Sequence, residues 1–435
     1  MSAMTDAGRG AAAMTERGEP GSPAPADRYT VISADCHAGA DLLDYRPYLE
    51  RAHHDAFDAW AATYVNPYED LLADSADRNW NSDRRLAELE ADGIVAEVVF
   101  PNTIPPFFPS ASLMAPAPTA DEFAQRWAGL RAHNRWLADF CAAAPGRRAG
   151  VAQILLNDVE EAVREVRWAK AAGLTGGVLL PGTPPGSGLP ELHSRTYDPL
   201  WAACAELDVP VNHHAGSASP PLGDEPSARA VFMVETTWFS HRALWHLIFG
   251  GVFHRHPGLR LVLTEQGSGW IPGVLDMLDY YHGRLVAASA RAAATATAEA
   301  KFGVGLGELM GAPPSEVWRD NCFVGASFMR PHEVPLRHRI GLEKVMWGSD
   351  YPHDEGTYPY TREGLRAAFA GVERGEIAAM VGGNAARVYG FDLGLLGPVA
   401  GRVGPTVAEI GEPLGEAPEG AASPVFAKGA SLRVW

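Results

Sequence analysis

The sequence predicts an α/β protein built as a (β/α)₈ barrel. Eight apolar runs of strand length recur along the chain, and stretches with helix signals separate them. Most of these runs are continuously apolar, as strands covered on both faces are. Eight strand–helix repeats close most simply into a parallel barrel. An open doubly wound sheet is the alternative, but no glycine-rich nucleotide-binding loop follows any of the strands.

The elements follow one another in a regular order. Two helices are well marked: SDRRLAELEADG (82–93), with Ser82 as its cap, and NDVEEAVREVRWAKAAG (157–173), with an Asn/Asp start and a Gly stop. The predicted strands are YTVISAD (29–35), IVAEVVF (94–100), RAGVAQI (148–154), GGVLLPG (176–182), VPVNHHA (209–215), LRLVLTE (259–265), CFVGAS (322–327) and KVMWGSD (344–350).

Three longer segments interrupt this rhythm, at roughly 101–120, 216–230 and 283–320. The first two follow the second and fifth strands, which places them at the barrel mouth, where such enzymes carry their lids. We expect the third segment to be helical.

Composition sets the domain limits and the class of partner. Residues 1–28 are rich in Gly, Ala, Pro and charge, so we expect a disordered leader, then a barrel over 29–392 and a C-terminal tail over 393–435 without assigned chemistry. A net charge of -17 argues against nucleic acid or an anionic membrane as partner. Without a secretory signal or a C-x-x-C pair, a cytoplasmic protein is expected, with a small-molecule substrate and homo-oligomerisation left open.

Polar residues fall at the carboxyl ends of the strands. Asp35 and His37 end the first strand and share one face, because side chains alternate along a strand. His214 ends the fifth strand and Asp350 the eighth. Barrel active sites lie at this end, and such a donor set suits one zinc ion, with manganese or iron as alternatives.

Two further strand-end residues are less clearly directed. Strand alternation places His214 inside the barrel and His213 with the apolar face of Val209 and Val211, so His213 is assigned to the surroundings of the site. Glu265 ends the sixth strand, but its alternation is shared with Leu263, so its direction stays open between inward and outward.

With these residues together, the chain resembles the amidohydrolase-related family of metal-dependent barrels, which includes hydrolases and aminocarboxymuconate-semialdehyde decarboxylase-like non-oxidative decarboxylases. The resemblance rests on ISADCH, VNHHAG, FGGVFHRHPGLRLVLTEQGSGW, MWGSDYPHDEGTYP and GGNAARVYG. It implies Asp35, His37, His214 and Asp350 as metal ligands, with Asp350 also moving protons. Many members carry a His where this chain has Glu265, which is a poorer proton donor unless its pKa is raised.

Some loop residues are further candidates. His353, three residues after Asp350, either orients substrate and carries protons or simply bonds the loop backbone. Phe107, Phe108 and Trp270 stand at loop or mouth positions that favour a substrate pocket, together with His213.

These observations lead us to expect a metal-dependent hydrolase in which metal-activated water attacks an amide, lactone or similar bond, with Asp350, Glu265 and His353 as catalytic groups. The alternatives are a non-oxidative decarboxylase of an aromatic or unsaturated carboxylic acid and a non-catalytic binding barrel.

Overall fold

The computed structural model describes residues 27–68, 71–223, 225–295 and 311–427. The predicted leader lies outside the described residues as far as residue 26. Nine parallel strand segments occur in the described chain: β1 Val31–Ala38, β2 Ile94–Pro101, β3 Arg148–Gly150, β4 Ala152–Gln153, β5 Val178–Leu179, β6 Val211–His214, β7 Leu261–Thr264, β8 Cys322–Ser327 and β9 Val345–Gly348. All eight predicted strands are present, and the third is divided into β3 and β4 at Val151.

Backbone pairing closes the strands into a ring. The strands form the orders β1-β2-β3 and β4-β5-β6-β7-β8-β9. Val151 links the two, because its N–H donates to the Val99 carbonyl of β2 at 2.9 Å, while the following Ala152 donates to Gly177 beside β5. At the other seam, the Asp350 N–H donates to the Asp35 carbonyl and the His37 N–H donates to the Tyr351 carbonyl, at 2.8 and 2.7 Å. The predicted (β/α)₈ barrel is therefore confirmed.

Helices surround this ring. Asn81, rather than the expected Ser82, is the N-cap of the helix Ser82–Ala91, because the Asn81 side chain accepts from the Arg84 N–H. Asp158 caps the next predicted helix as expected. The α-helices are His54–Ala61, Ser82–Ala91, Ala120–Ala142, Val159–Ala171, Asp198–Glu206, Pro226–Phe249, Val252–Arg255, Ile271–Thr295, Pro314–Asn321, Arg337–Ile340, Thr361–Phe369, Arg374–Ala378, Asn384–Tyr389, Leu393–Val403 and Val407–Gly411.

The C-terminal segment packs on the barrel. Tyr389 donates its hydroxyl to Asn212 Oδ1 at 2.8 Å, and Asn212 is a fully buried residue of β6. Leu396 and Ala400 belong to the same apolar cluster as strand residues such as Val98. No helix in the described ranges is long and apolar enough to cross a bilayer.

Candidate metal centre and active site

Four side chains from three strands place donor atoms at one point of the barrel mouth. Asp35, His37, His214 and Glu265 each offer a donor, and these atoms lie within 4.8 Å of one another. Asp35 Oδ1 lies 3.3 Å from His37 Nε2 and 3.4 Å from His214 Nε2. Asp350 Oδ1 lies 3.3 Å from the same atom, His37 Nε2. The structure thus brings Asp35, His37 and His214 together with Glu265, and Asp350 joins this cluster through its contact with His37.

Backbone carbonyls orient both imidazoles. Nδ1 of His37 lies 3.1 Å from the Pro101 carbonyl, and Nδ1 of His214 lies 3.1 Å from the Ala215 carbonyl. A carbonyl can only accept, so each Nδ1 carries a proton, and each Nε2 faces the cluster, where it can offer its lone pair to a cation. This is the tautomer that a metal ion requires.

Several donor atoms of the cluster have no hydrogen-bond partner within the described protein. They are Asp35 Oδ1, His37 Nε2, His214 Nε2 and Asp350 Oδ2, and all are buried. Buried polar atoms left unpaired cost free energy, and here two carboxylates and two imidazole lone pairs converge. This donor set fits a divalent cation.

Left-handed backbone conformations turn two of the carboxylates toward the centre. Glu265 has a φ of 57° and Asp350 a φ of 60°, a region that side-chain-bearing residues rarely adopt. Glu265 would otherwise continue the alternation of Leu263, away from the barrel interior. The turn instead brings Glu265 Oε2 to 3.2 Å from His214 Nε2. This local turn settles the direction that alternation left open.

His353 is bound between Asp350 and Asn102. Its Nδ1 lies 2.8 Å from Asp350 Oδ1, and its Nε2 lies 3.0 Å from Asn102 Oδ1. Asn79 orients that amide, because Asn102 Nδ2 donates to Asn79 Oδ1 at 2.8 Å. His353 therefore faces two acceptors and shares Asp350 Oδ1 with His37, whose ring lies 4.2 Å from its own.

The charges of the cluster shift its pKa values in opposite directions. Burial, then the nearby charges of Asp350 and Asp35, raise the pKa of Glu265 well above its usual range. Burial alone would raise the pKa of Asp350, but the charge and hydrogen bond of His353 outweigh it and lower that pKa. For His37, burial is outweighed by Asp35 and Asp350, and its pKa rises to about 10. Glu265 thus differs from the neighbouring carboxylate of Asp350 in favouring the protonated form.

Sequence reasoning missed several residues that support the cluster. Ser327 donates to Asp35 Oδ2, and Arg85 donates to the His37 carbonyl at 2.7 Å while paired with Glu97. Arg85 is fully buried although it lies on the helix Ser82–Ala91. Glu97, which interrupts the apolar run IVAEVVF, was the one sequence signal that a buried positively charged side chain lay nearby.

The predicted pocket residues separate into two groups. Phe108 lines a cavity of about 880 Å³ at the barrel mouth. The other three do not line this cavity: Phe107 packs on Phe57 and Trp60, His213 lies against the Leu180 carbonyl, and Trp270 stacks on His241 at 3.7 Å. Whether a predicted pocket residue lines the cavity depends on how helices pack against strands. The position of a residue relative to a strand end does not reveal that packing.

A closed parallel barrel with carboxylate and imidazole donors at the carboxyl ends of its strands defines the class of metal-dependent barrel enzymes. The family model described as Amidohydrolase matches residues 34–391, and the chain belongs to the amidohydrolase family.

Relatives within the family are decarboxylases. The chain is 28% identical over 260 residues to a gamma-resorcylate decarboxylase of Rhodococcus jostii, covering 56% of this chain and 72% of that protein. A second gamma-resorcylate decarboxylase, from Polaromonas sp., is 27% identical over 220 residues, covering 46% of this chain and 64% of the relative, just under two thirds of its length.

Solved structures share the fold at low identity. 5-Carboxyvanillate decarboxylase LigW from Sphingomonas paucimobilis superposes with a TM-score of 0.60 at 19% identity, covering 83% of this chain and 99% of that one. A dihydroxybenzoic acid decarboxylase from Polaromonas sp., solved with manganese and 2-nitroresorcinol, gives a TM-score of 0.55 at 18% identity, covering 83% and 97%.

These comparisons correct the expected activity. The hydrolase expectation is wrong as the leading function, because the sequence relatives that the chain matches are named decarboxylases. The sequence argument gave too much weight to a metal-bound water, which the same ligands could hold in either reaction.

Proposed function

We propose that this protein is a metal-dependent non-oxidative decarboxylase of an aromatic carboxylic acid. The observation that carries the proposal is the decarboxylase identity of its sequence relatives. The donor set supports it, since buried oxygen and imidazole donors with unpaired lone pairs suit a divalent cation.

Asp35, His37, His214 and Asp350 would hold the cation, and Glu265 lies within reach of the same point. When bound, the cation supplies Lewis acidity that polarises a substrate oxygen. Zinc, manganese and iron all accept these ligands. Manganese is the first to test, because it is bound in three of the decarboxylase structures that share this fold.

The protein residues must deliver a proton to carbon. In decarboxylation the bond from the ring to its carboxylate breaks, CO₂ leaves, and the ring carbon takes a proton in its place. Glu265 is suited to donate it, because its carboxyl faces the cluster and 22% of its side chain is open to the mouth. His353 holds Asp350 in place through the 2.8 Å hydrogen bond and leaves Glu265 free to face the substrate.

The test is CO₂ release from a panel of hydroxybenzoic acids by the manganese-loaded protein, with amides and lactones assayed in parallel. Glu265→Gln removes the transferable proton, and turnover should fall by roughly 10²-fold or more while the metal stays bound. Glu160→Gln, an exposed carboxylate on the helix Val159–Ala171, is the control and should keep the wild-type rate. Hydrolysis without CO₂ release, or full activity in Glu265→Gln, would contradict the proposal.

A further inference from the structure

The mouth cavity is far larger than a site for one aromatic ring needs. Its volume of about 880 Å³ lies near the upper end of the about 300–1,000 Å³ found for pockets that hold drug-sized ligands. The wall comes mainly from the loop around 112–117, residues 153–157 at the end of β4, the segment 181–189 after β5, and residues within 216–223 and 228–233. Most of the wall is apolar, so a carbon skeleton would be its natural occupant.

Within this apolar wall lie buried polar side chains that lack partners. Arg126 and Gln153 are only 3% and 2% exposed. Nε of Arg126, both side-chain polar atoms of Gln153, and the hydroxyl of Ser112 have no hydrogen-bond partner in the described part of the chain. All three residues line the cavity. Buried donors are normally paired, and their grouping on one cavity points to a ligand that pairs them.

No carboxylate among the described residues forms an ion pair with Arg126, although Glu122 stands near enough for its charge to act on the guanidinium. The guanidinium lies over the ring of Phe108 at 4.3 Å and donates to the Pro116 carbonyl at 2.8 Å. Glu122, one turn earlier on the same helix, is engaged by Thr119, whose N–H and hydroxyl both donate to it. A buried cation without a carboxylate partner is costly unless an anion completes it.

The cavity wall includes the segment that follows the ligand His214, although none of the cluster residues lines it. Ser217 belongs to the cavity wall, and its hydroxyl donates to the His214 carbonyl at 2.7 Å. One molecule could therefore have its reacting end at the ligand cluster and its other end among Arg126, Gln153 and Ser112.

We propose that the cavity binds the distal part of the substrate, an extended apolar skeleton that ends in a second anionic group held by Arg126 and Gln153. The substrate class is then a long dicarboxylic or similarly doubly anionic aromatic acid rather than a single-ring benzoate. A planar carboxylate suits this position, because a guanidinium and an amide can each bond one of its oxygens. The assignment of this ligand as substrate rests on the proposed decarboxylase function, whereas the binding site itself does not.

A pair of fluorescent probes tests the site without metal or turnover. Anilinonaphthalene sulfonate carries an anionic group on an apolar skeleton, and N-phenylnaphthylamine has that skeleton without the charge. Wild-type protein should bind both saturably, at one per chain. Arg126→Met should weaken the sulfonate probe roughly tenfold to hundredfold, the scale of a charged hydrogen-bonded contact, and leave the neutral probe unchanged.

One matched control and two further cavity variants make the probe-binding result interpretable. Arg131→Met lies on the same helix but off the cavity wall, in an exposed pair with Glu50, and should bind both probes as wild type does. Ser112→Ala and Gln153→Leu should each weaken the sulfonate probe, which keeps the test valid if Arg126→Met fails to fold. Equal sulfonate affinity in all variants, equal loss of both probes, or no saturable binding to wild type would overturn the proposal.

A kinetic comparison then connects the site to the reaction. For a benzoic acid extended by an apolar chain with a terminal carboxylate, Arg126→Met should raise KM about tenfold with little change in kcat. The short parent acid should be unaffected. Probe binding without any decarboxylation would refute the proposed function and leave the anion site intact, whereas decarboxylation with unchanged KM in Arg126→Met would refute its role as a substrate site.

Discussion

At the residue scale, the adjacent histidines of β6 have opposite surroundings. His214 Nε2 lies between Asp35 and Glu265, at 3.4 and 3.2 Å from their carboxylates. His213 contacts the Leu180 carbonyl at 3.1 Å, and burial lowers its pKa to about 4. Both are buried, so replacing either removes a similar amount of packing.

His214→Ala should therefore weaken Mn²⁺ binding by roughly 10²-fold or more, since even a residue that only supports a ligand costs up to about that much. His213→Ala should retain the ion at one per chain. Calorimetric titration with Mn²⁺ and elemental analysis measure both quantities. The reverse result would mean that strand alternation selected the wrong histidine.

A second residue, Asp92, lies away from the metal centre and leads us to predict that the stability of the protein depends on pH. Asp92 lies between the helix Ser82–Ala91 and β2, where its Oδ1 accepts from the Thr361 N–H at 3.1 Å and its Oδ2 is buried without a partner in the described chain. Burial, with a smaller contribution from Glu363 and against the bonds from Thr361, raises the pKa of Asp92 to about 6.

Because the folded state holds this proton more tightly than the unfolded chain, with its reference pKa of about 3.9, the stabilisation is greatest below pH 4 and is lost as pH rises to about 6. The loss is roughly 3 kcal/mol of unfolding free energy. Asp92→Asn cannot ionise, so its unfolding free energy relative to wild type should rise between pH 4.5 and 7.5. Urea denaturation at both values measures the difference, and parallel curves for the two proteins would show that Asp92 does not titrate in this range.

At the scale of elements, the carboxyl ends of the strands carry the site and the C-terminal helices support the barrel wall. In the helix Leu393–Val403, Leu396 is fully buried while its neighbour Leu395 is 48% exposed. Leu396 belongs to the cluster that also contains Val95 and Val98 of β2.

Leu396→Ala should therefore cost about 2–5 kcal/mol of unfolding free energy, because it leaves a cavity in this cluster. Leu395→Ala changes the same residue type one position away and should fall within about 0.5 kcal/mol of wild type. Chemical denaturation compares the three proteins. Equal stability of the two variants would show that the C-terminal segment does not support the barrel.

At the scale of the whole molecule, ring closure is what assembles the ligands. The backbone bonds between β1 and the segment after β9 bring Asp35 and His37 beside Asp350, residues more than 300 positions apart in the chain. An ion bound by several strands should stabilise the folded state by mass action, since the unfolded chain cannot reproduce the site.

Adding Mn²⁺ at about 100 times its dissociation constant should raise the unfolding free energy by about 2.7 kcal/mol. The same addition should leave Tm of His214→Ala nearly unchanged. Differential scanning calorimetry with and without the ion gives both values. An equal shift in the two proteins would place the binding ion elsewhere.

Much of the fold and part of the site could be predicted because the signals are local. The continuous apolar runs predicted the eight strands, and the pairing of Asp35 with His37 follows from alternation along one strand. The same rule selected His214. It left Glu265 open, because a single left-handed residue reverses the direction of a side chain and leaves no mark in the apolar pattern.

The sequence by itself predicted the strands, the position of the donors at strand ends and the inward direction of His214, since each depends on residues a few positions apart. The tertiary structure alone decided the inward turn of Glu265, the support from Arg85, Ser327 and Asn102, and the burial of Arg126 in the mouth cavity with its Nε unpaired among the described residues. These depend on which distant segments meet when the ring closes. Burial and the pairing of polar groups are properties of that closed packing, so no local pattern encodes them.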